Sequence, residues 1–403
     1  MVIERKDPKY PRQGPSCLLI IFVFFGILVG GFVIQNADEV RDVIIPTATP
    51  EPTRSATEYA LLANLSIDDG ELVEALDYYE QAVALDGTKP QFYIDLINLY
   101  IQNGQPEEAL SKAADVSVLD PDNEEVWTSY AAAHLANGDR LVDMGDVNGA
   151  DLEYAQAADM GLKAVNINPQ NATALAYIAG GIISQGIPER FNEALKYAQD
   201  ATSYEPDNPI ARYYLATVYT NQGYYPAARE QWQLGIQADP ERPDLHMGLA
   251  YNFFADGRIP DAILSFKQAI EVDPDNAAAY DGLAYMYLRL GQNPQAEQNA
   301  LIAIELDPQM ARAYGRLGEA YYQQNNYEFA IDALTQAVAL YGEPTDLNAR
   351  FFYFLGSAYL RKGPENCPEA VPYFQQASEV FTYYQEFALE GLTECRRVQL
   401  EGG

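Results

Sequence analysis

The chain has 403 residues, 48% of them hydrophobic, and a formal net charge of −33. That much apolar content can bury a large core, while the acidic excess repels phosphate backbones and anionic lipid surfaces and sets nucleic acid aside as a partner. Residues 1–45 are neutral, because Arg5, Lys6, Lys9, Arg12 and Arg41 match Glu4, Asp7, Asp38, Glu39 and Asp42, so the whole excess lies beyond them.

In chain order the first signal is Cys17 to Ile34, CLLIIFVFFGILVGGFVI, 18 residues without a charge. A helix of that length spans about 27 Å, close to the hydrocarbon thickness of a bilayer. It reads as a single transmembrane helix over 17–34. A cleaved signal peptide is the competing reading; the long apolar run, and Gln35 where a small residue should precede Ala37, count against it. Four bases precede the run and only Arg41 and Arg54 follow it closely. Residues 1–16 are therefore expected as a cytoplasmic tail, with a single-pass topology that leaves the C-terminal body extracytoplasmic. Residues 35–55 read as a Pro/Thr-rich linker; PTATPEPTRSAT, residues 46–57, covers about 37 Å as extended chain.

Beyond the linker the chain repeats itself. AIEVDPDNAAAY, residues 269–280, returns 34 residues later as AIELDPQMARAY, residues 303–314. A phrase restated at a fixed period marks a stacked structural unit rather than a catalytic motif. The frame recovers nine units over 56–382, each readable as two amphipathic helices with a Pro or Gly stop. One site in the second helix is always alanine: Ala75, Ala109, Ala157, Ala194, Ala228, Ala262, Ala296, Ala330 and Ala370. Its counterpart in the first helix is Ala63, Ile97, Ala131, Ala179, Ala216, Ala250, Ala284, Gly318 and Gly356. Helices approach closely only where side chains are small, so these pairs fix the frame. The third unit is 14 residues longer, around NGDRLVDMGDVNGADLEY, and residues 383–398, YYQEFALEGLTECRRV, read as a helix capping the last apolar edge.

Chemistry is hard to find along this array. His134 and His246, the only histidines, fall where other units place packing aromatics. No phosphate loop, nucleophile elbow or metal-spaced Cys/His set occurs, and DMGDVNGADLEY fails as a calcium loop because Met144 and Ala155 fall at the end ligand positions. No catalytic, cofactor or metal residues are nominated, and an enzyme is not expected. The sequons at Asn64 and Asn171 matter only in a glycosylating compartment.

The runs LHMGLAYNFF, AYDGLAYMYL and AYGRLGEAYY, with the alanine and proline spacing above, resemble the tetratricopeptide repeat (TPR) family. The resemblance implies an all-α solenoid of helix pairs, a right-handed superhelix of about nine repeats whose first helices line a concave groove. On that face it places Tyr213, Tyr214, Tyr251, Phe254, Tyr285, Tyr322, Tyr353 and Phe354. It also places there Arg289, Arg312, Arg316, Arg350 and Arg361, against Asp281 and Glu319, whereas units one to four show Asp68, Asp95 and Glu125. The carboxylate clamp of some family members is not matched, since Ala60 and Ile94 stand where lysine is needed beside Asn64 and Asn98.

The expected function is a membrane-tethered scaffold holding an extended protein segment in this groove, the partner segment being extended or acidic, to organise an envelope or secretion assembly. The alternative is a glycan-binding scaffold of polysaccharide export. The outward topology also suggests a disulfide between Cys367 and Cys395, the only cysteines of the body; two buried thiols are the other reading.

Overall fold

The computed structural model describes residues 22, 25–29 and 54–401. The chain divides into two units, Met1–Ser55 and Ala56–Gly403. In the first, residues 22 and 25–29 are helical. Among the described residues no helix is long and apolar enough to cross a membrane. The expected localisation, single-pass with a cytoplasmic N-terminus and an extracytoplasmic body, is corrected on that finding. The remainder of the 17–34 span, the 1–16 tail and most of the 35–55 linker lie outside the described residues.

The second unit is helical throughout. Its hairpins are α1 (Ala56–Asp68) with α2 (Leu72–Leu85), α3 (Pro90–Gln102) with α4 (Pro106–Leu119), and α5 (Glu124–Met144) with α6 (Val147–Ile167). Next come α7 (Ala172–Ser184) with α8 (Phe191–Tyr204), α9 (Pro209–Asn221) with α10 (Tyr225–Ala238), and α11 (Pro243–Ala255) with α12 (Ile259–Val272). The last three are α13 (Ala277–Arg289) with α14 (Asn293–Leu306), α15 (Ala311–Gln323) with α16 (Tyr327–Tyr341), and α17 (Ala349–Lys362) with α18 (Cys367–Glu379). A final helix, α19 (Tyr384–Glu401), packs on α17 and α18.

Turn chemistry explains why each helix stops where it does. Gly104, Gly223, Gly257 and Gly291 take φ between 69° and 78°, the left-handed region that ends a helix, and in the eighth unit Asn325 takes it at φ 60°. Two residues after the start of each turn, the chain bonds back across the helix end: Arg258 N donates to Phe253 O at 2.8 Å, Gln292 N to Tyr287 O at 2.9 Å, and Asn326 N to Tyr321 O at 2.9 Å. Several of the proline turns between units place an asparagine at the next N-cap. Asn171 Oδ1 accepts from Ala174 N at 2.8 Å and Asn276 Oδ1 from Ala279 N at 3.0 Å.

Packing follows the small sites. Ala131 with Ala157, Ala250 with Ala262, and Ala284 with Ala296 are all 0% exposed, as is Ile97, the one large exception. A methyl group added to Gly318 would lie 2.4 Å from Leu334 Cγ, so that crossing has room for hydrogen alone. Larger side chains such as Phe266 and Leu245 fill the space around the contacts and are also 0% exposed. First helices of successive units touch one another from α3 through α17, whereas successive second helices make no comparable contact. The first helices therefore lie on the inside of the curve.

Cys367 and Cys395 are bonded, with Cα atoms 5.3 Å apart and both side chains fully buried. The bond fastens α19 to the start of α18.

Candidate protein-binding interior

The inner face is built from residues that the small-site core does not consume. Tyr251 on α11 is 43% exposed even though its ring meets Phe266 edge-on at 5.1 Å. Tyr213 and Tyr214 on α9 are half-buried and stand edge to face at 4.9 Å, with Tyr213 also against Trp232 at 5.1 Å. Phe254 meets Tyr285 at 5.3 Å. At the far end Tyr322, Tyr353 and Phe354 form a cluster with centroid spacings of 5.2 and 5.3 Å, and Tyr384 of α19 closes on Tyr353 at 5.4 Å. The capping helix thus covers part of the aromatic end of the expected groove.

The arginines divide into two groups. Arg289 and Arg361 are exposed, with Arg361 beside Tyr322, which raises its guanidinium above the ordinary value, and Arg289 6.0 Å from the centre of the Phe254 ring. Arg312, Arg316 and Arg350 are spent within the protein. Arg312 Nε lies 3.0 Å and Arg316 Nε 3.7 Å from the Asp281 carboxylate, which is buried, and Arg350 Nη2 lies 3.1 Å from Glu319 Oε2. Arg316 also lies over the Tyr285 ring at 4.0 Å, and Arg350 over Phe351 at 4.6 Å. A carboxylate on each first helix therefore holds an arginine on the next, α13 to α15 and α15 to α17. Burial raises the Glu319 carboxyl above its usual range.

Sequence reasoning missed the residue that completes this network. Helices α5 and α6 have 21 residues each, whereas most other first and second helices have 13 and 14. The third hairpin is therefore about two turns longer. Asp146 caps α6 through Gly149 N at 2.9 Å, which makes the calcium-loop look-alike a helix turn. The tip reaches across the curve, where Asp143 forms an ion pair with Arg312 from 169 residues away. A methyl on Gly145 would sit 3.1 Å from Asn348 Nδ2 and 3.3 Å from Tyr341, so the backbone itself approaches the start of the ninth unit. Asp139, one turn before Asp143, accepts a hydrogen bond from Tyr154 Oη at 2.7 Å. Water reaches Asp139 although protein surrounds it, and burial pushes its carboxyl up to about 6. Burial also raises Asp143, against the opposing pull of Arg312. Arg312 is lowered by burial, but Asp281 and Asp143 outweigh this and hold its guanidinium above the ordinary value.

Units two to five line an open pocket of about 520 Å³ beside Ile94, Asn98, Glu125, Thr128, Asn171 and Tyr177. Burial pushes the Tyr177 phenol up to about 12, and its ring meets Tyr214 edge-on at 6.0 Å. Of the other acids expected at this end, Asp95 accepts from Gln91 at 2.8 Å, and Asp68 ends α1. Asn64 accepts from Tyr79 Oη at 2.8 Å and is taken up in packing. His134 bonds Glu153 through Nδ1 at 2.6 Å and stacks on Tyr130, and His246 is buried. Among the described residues no group of His, Cys, Asp and Glu is arranged to hold a metal.

Sequence profiles described as tetratricopeptide repeat match residues 66–133, 188–250, 283–343 and 316–379, and one described as TPR repeat matches 250–291. The chain belongs to the tetratricopeptide repeat family. As a TPR protein it is a scaffold suited to protein–protein interaction. The unmatched stretch between residues 133 and 188 contains the lengthened part of the third hairpin. Two curated relatives, the photosystem I assembly proteins Ycf3 of Synechococcus elongatus and of a second Synechococcus strain, are each 28% identical over 106 residues. The match covers 26% of this chain and 61% of theirs, so the chain spans about three fifths of their length. Among solved structures, yeast Tom70 aligns at a TM-score of 0.44 and 14% identity, over 86% of this chain and 96% of that one. The APC/C hetero-tetramer Cut9-Hcn1 aligns at 0.49 and 14%, over 84% and 76%.

Proposed function

We propose that this TPR chain is an assembly scaffold that holds an extended segment of a partner protein along the inner face of its first helices. The observation that carries this reading is Tyr251. Its ring rests edge-on against Phe266 of the core, yet Tyr251 stays 43% exposed on the inside of the curve. Half-buried Tyr213, Phe254 and Tyr285 continue the same lining. Rings of this kind supply contact area at little entropic cost, because few torsions are frozen on binding. The Ycf3 relatives, named as assembly proteins, agree with such a role. The envelope or secretion setting expected from sequence rested on the membrane span and is dropped with it.

Photo-crosslinking separates inner from outer surface. A photoreactive residue is placed at position 251 on the inner face or at position 264, where Leu264 on second helix α12 is 58% exposed. Protein crosslinks at 251 and none at 264 are expected. Equal yields at both positions would count against the inner face. A glycan ligand could stack on the same rings, and retardation of the chain in polysaccharide gels, lost with Tyr251→Ala, would favour it over protein.

A further inference from the structure

Arg312 and Arg316 share the Asp281 carboxylate of the preceding first helix, and Glu319, which pairs with Arg350, also acts on Arg316. The second carboxylate on Arg312 comes from Asp143, at the tip of a hairpin lengthened by about two turns. Without that tip, Arg312 would face Asp281 alone, shared with Arg316, while Glu319 is taken up by Arg350, and Arg316 Nη1 is already buried without a hydrogen-bond partner. A partly desolvated cationic site of this kind favours a carboxylate with forked geometry. The hairpin supplies Asp143 with Asp139 one turn away on the same helix, as an acidic segment from another protein could. Asp143 itself is 48% exposed, so its side of the pair is screened and cheap to break.

We propose that the Arg312–Arg316 end of the interior is a carboxylate-binding site, that Asp143 occupies it when no partner is present, and that an acidic partner segment binds by displacing the hairpin tip. This rests on the scaffold reading and adds a partner chemistry and a built-in competitor. The tip lies between the third unit and the eighth and ninth, so lifting it opens the curve where a segment would pass. The ligand replaces the Asp143 pair on Arg312 and adds one to Arg316, whose Nη1 has no hydrogen-bond partner in the closed form. Its affinity comes from the second guanidinium and from the neighbouring Tyr285 and Tyr251 rings, while the competing tip lowers it by the fraction of chains that are open.

The test uses the full chain and a fluorescein-labelled octaglutamate peptide, read by anisotropy at about 0.15 M salt, where the repulsion of the acidic body is screened beyond about 8 Å. Octaglutamate is expected to bind and octalysine not to compete for it. Asp143→Asn should tighten octaglutamate binding about fivefold, because a broken ion pair raises the open fraction. Arg312→Gln should weaken it about tenfold and Arg312→Lys less, since a point charge replaces a fork. The thermal melt of each variant shows whether it is folded. Hydrogen exchange over residues 139–149 should quicken when the peptide is bound. No octaglutamate binding, unchanged affinity in Asp143→Asn, or unchanged exchange at the tip with peptide bound overturns the proposal. Crosslinking at 251 that persists alongside any of these results keeps the scaffold reading and removes only this site.

Discussion

Arg312 and Asp143 form an ion pair although 169 residues separate them, and this contact joins the third repeat to the eighth. Local repeats explain nearly every other contact in the array, because each unit packs on its neighbours. This pair is instead a long-range tie, and the energetic centre of its network is Asp281, which is 2% exposed between Arg312 and Arg316.

Replacing Asp281 with Ala leaves two guanidiniums facing each other without their shared acid. Removing one member of a buried ion pair typically costs about 3 kcal/mol or more, because the remaining charge stays desolvated. Urea unfolding of Asp281→Ala should therefore show a loss of about 3 kcal/mol, while Asp261→Ala, at an exposed i,i+3 pair with Arg258, should change stability by under about 1 kcal/mol. Equal, small effects at both sites would show that Asp281 is not the centre of the network.

Gly318→Ala sets two effects against each other. Alanine in a helix interior is favoured over glycine by about 1 kcal/mol. Here the new methyl would lie 2.4 Å from Leu334 Cγ and 3.1 Å from Leu334 N, and Leu334 is fully buried. Overpacking of that kind costs about 1–3 kcal/mol, so the variant should be destabilised despite its better helix propensity. A raised melting temperature would show that α15 and α16 can move apart without cost.

The repeat frame was legible because it rests on short-range physics. The alanine pairs, the proline stops and the turn glycines each act within one hairpin, and each appears in the sequence at a fixed spacing. The lengthened third hairpin was legible as an insertion for the same reason. Its destination was not, because whether Asp143 meets Arg312 depends on curvature accumulated over five units, and no local pattern encodes that sum. The inner-face aromatics were located by register alone, but the engagement of Arg312, Arg316 and Arg350 by acids from neighbouring helices depends on which side chains face each other across units. Tyr177 and Asp139 were passed over because a lone tyrosine and a lone aspartate carry no spacing signal.

Asp139 should make stability depend on pH. Its carboxyl is pushed from the ordinary 3.8 to about 6, chiefly by burial, with Asp143 raising it and the Tyr154 hydroxyl and Arg312 lowering it. A raised acid binds its proton more tightly in the folded state. Its contribution is fully present below pH 3.8 and is lost as pH rises through about 6. Asp139→Asn mimics the protonated form and can still accept from Tyr154. The wild-type melting temperature, compared with that of the variant, should fall away as pH goes from about 5 to about 7.5. Parallel curves over that window would show that Asp139 titrates normally.

The last relationship is covalent. Cys367 opens α18 and Cys395 lies in α19, 28 positions apart and bonded. The terminal unit of a stacked array has one neighbour instead of two, so unfolding starts there most easily. Phe374, 1% exposed, packs into the space at Gly391 of α19, where a methyl would lie 2.5 Å from its ring. Losing α19 would therefore bare Phe374 to water. Closing a loop of this length contributes about 3–4 kcal/mol in the chain-entropy account. Cys367→Ala with Cys395→Ala removes the bond and leaves no buried polar group behind. In that double variant hydrogen exchange over residues 384–400 should quicken by about two orders of magnitude, while α1 to α4, at the other end of the array, keep their protection. If exchange in α19 does not change, apolar packing alone holds the helix; if protection falls equally in α1 to α4, the array unfolds as one cooperative unit and the disulfide acts on the whole.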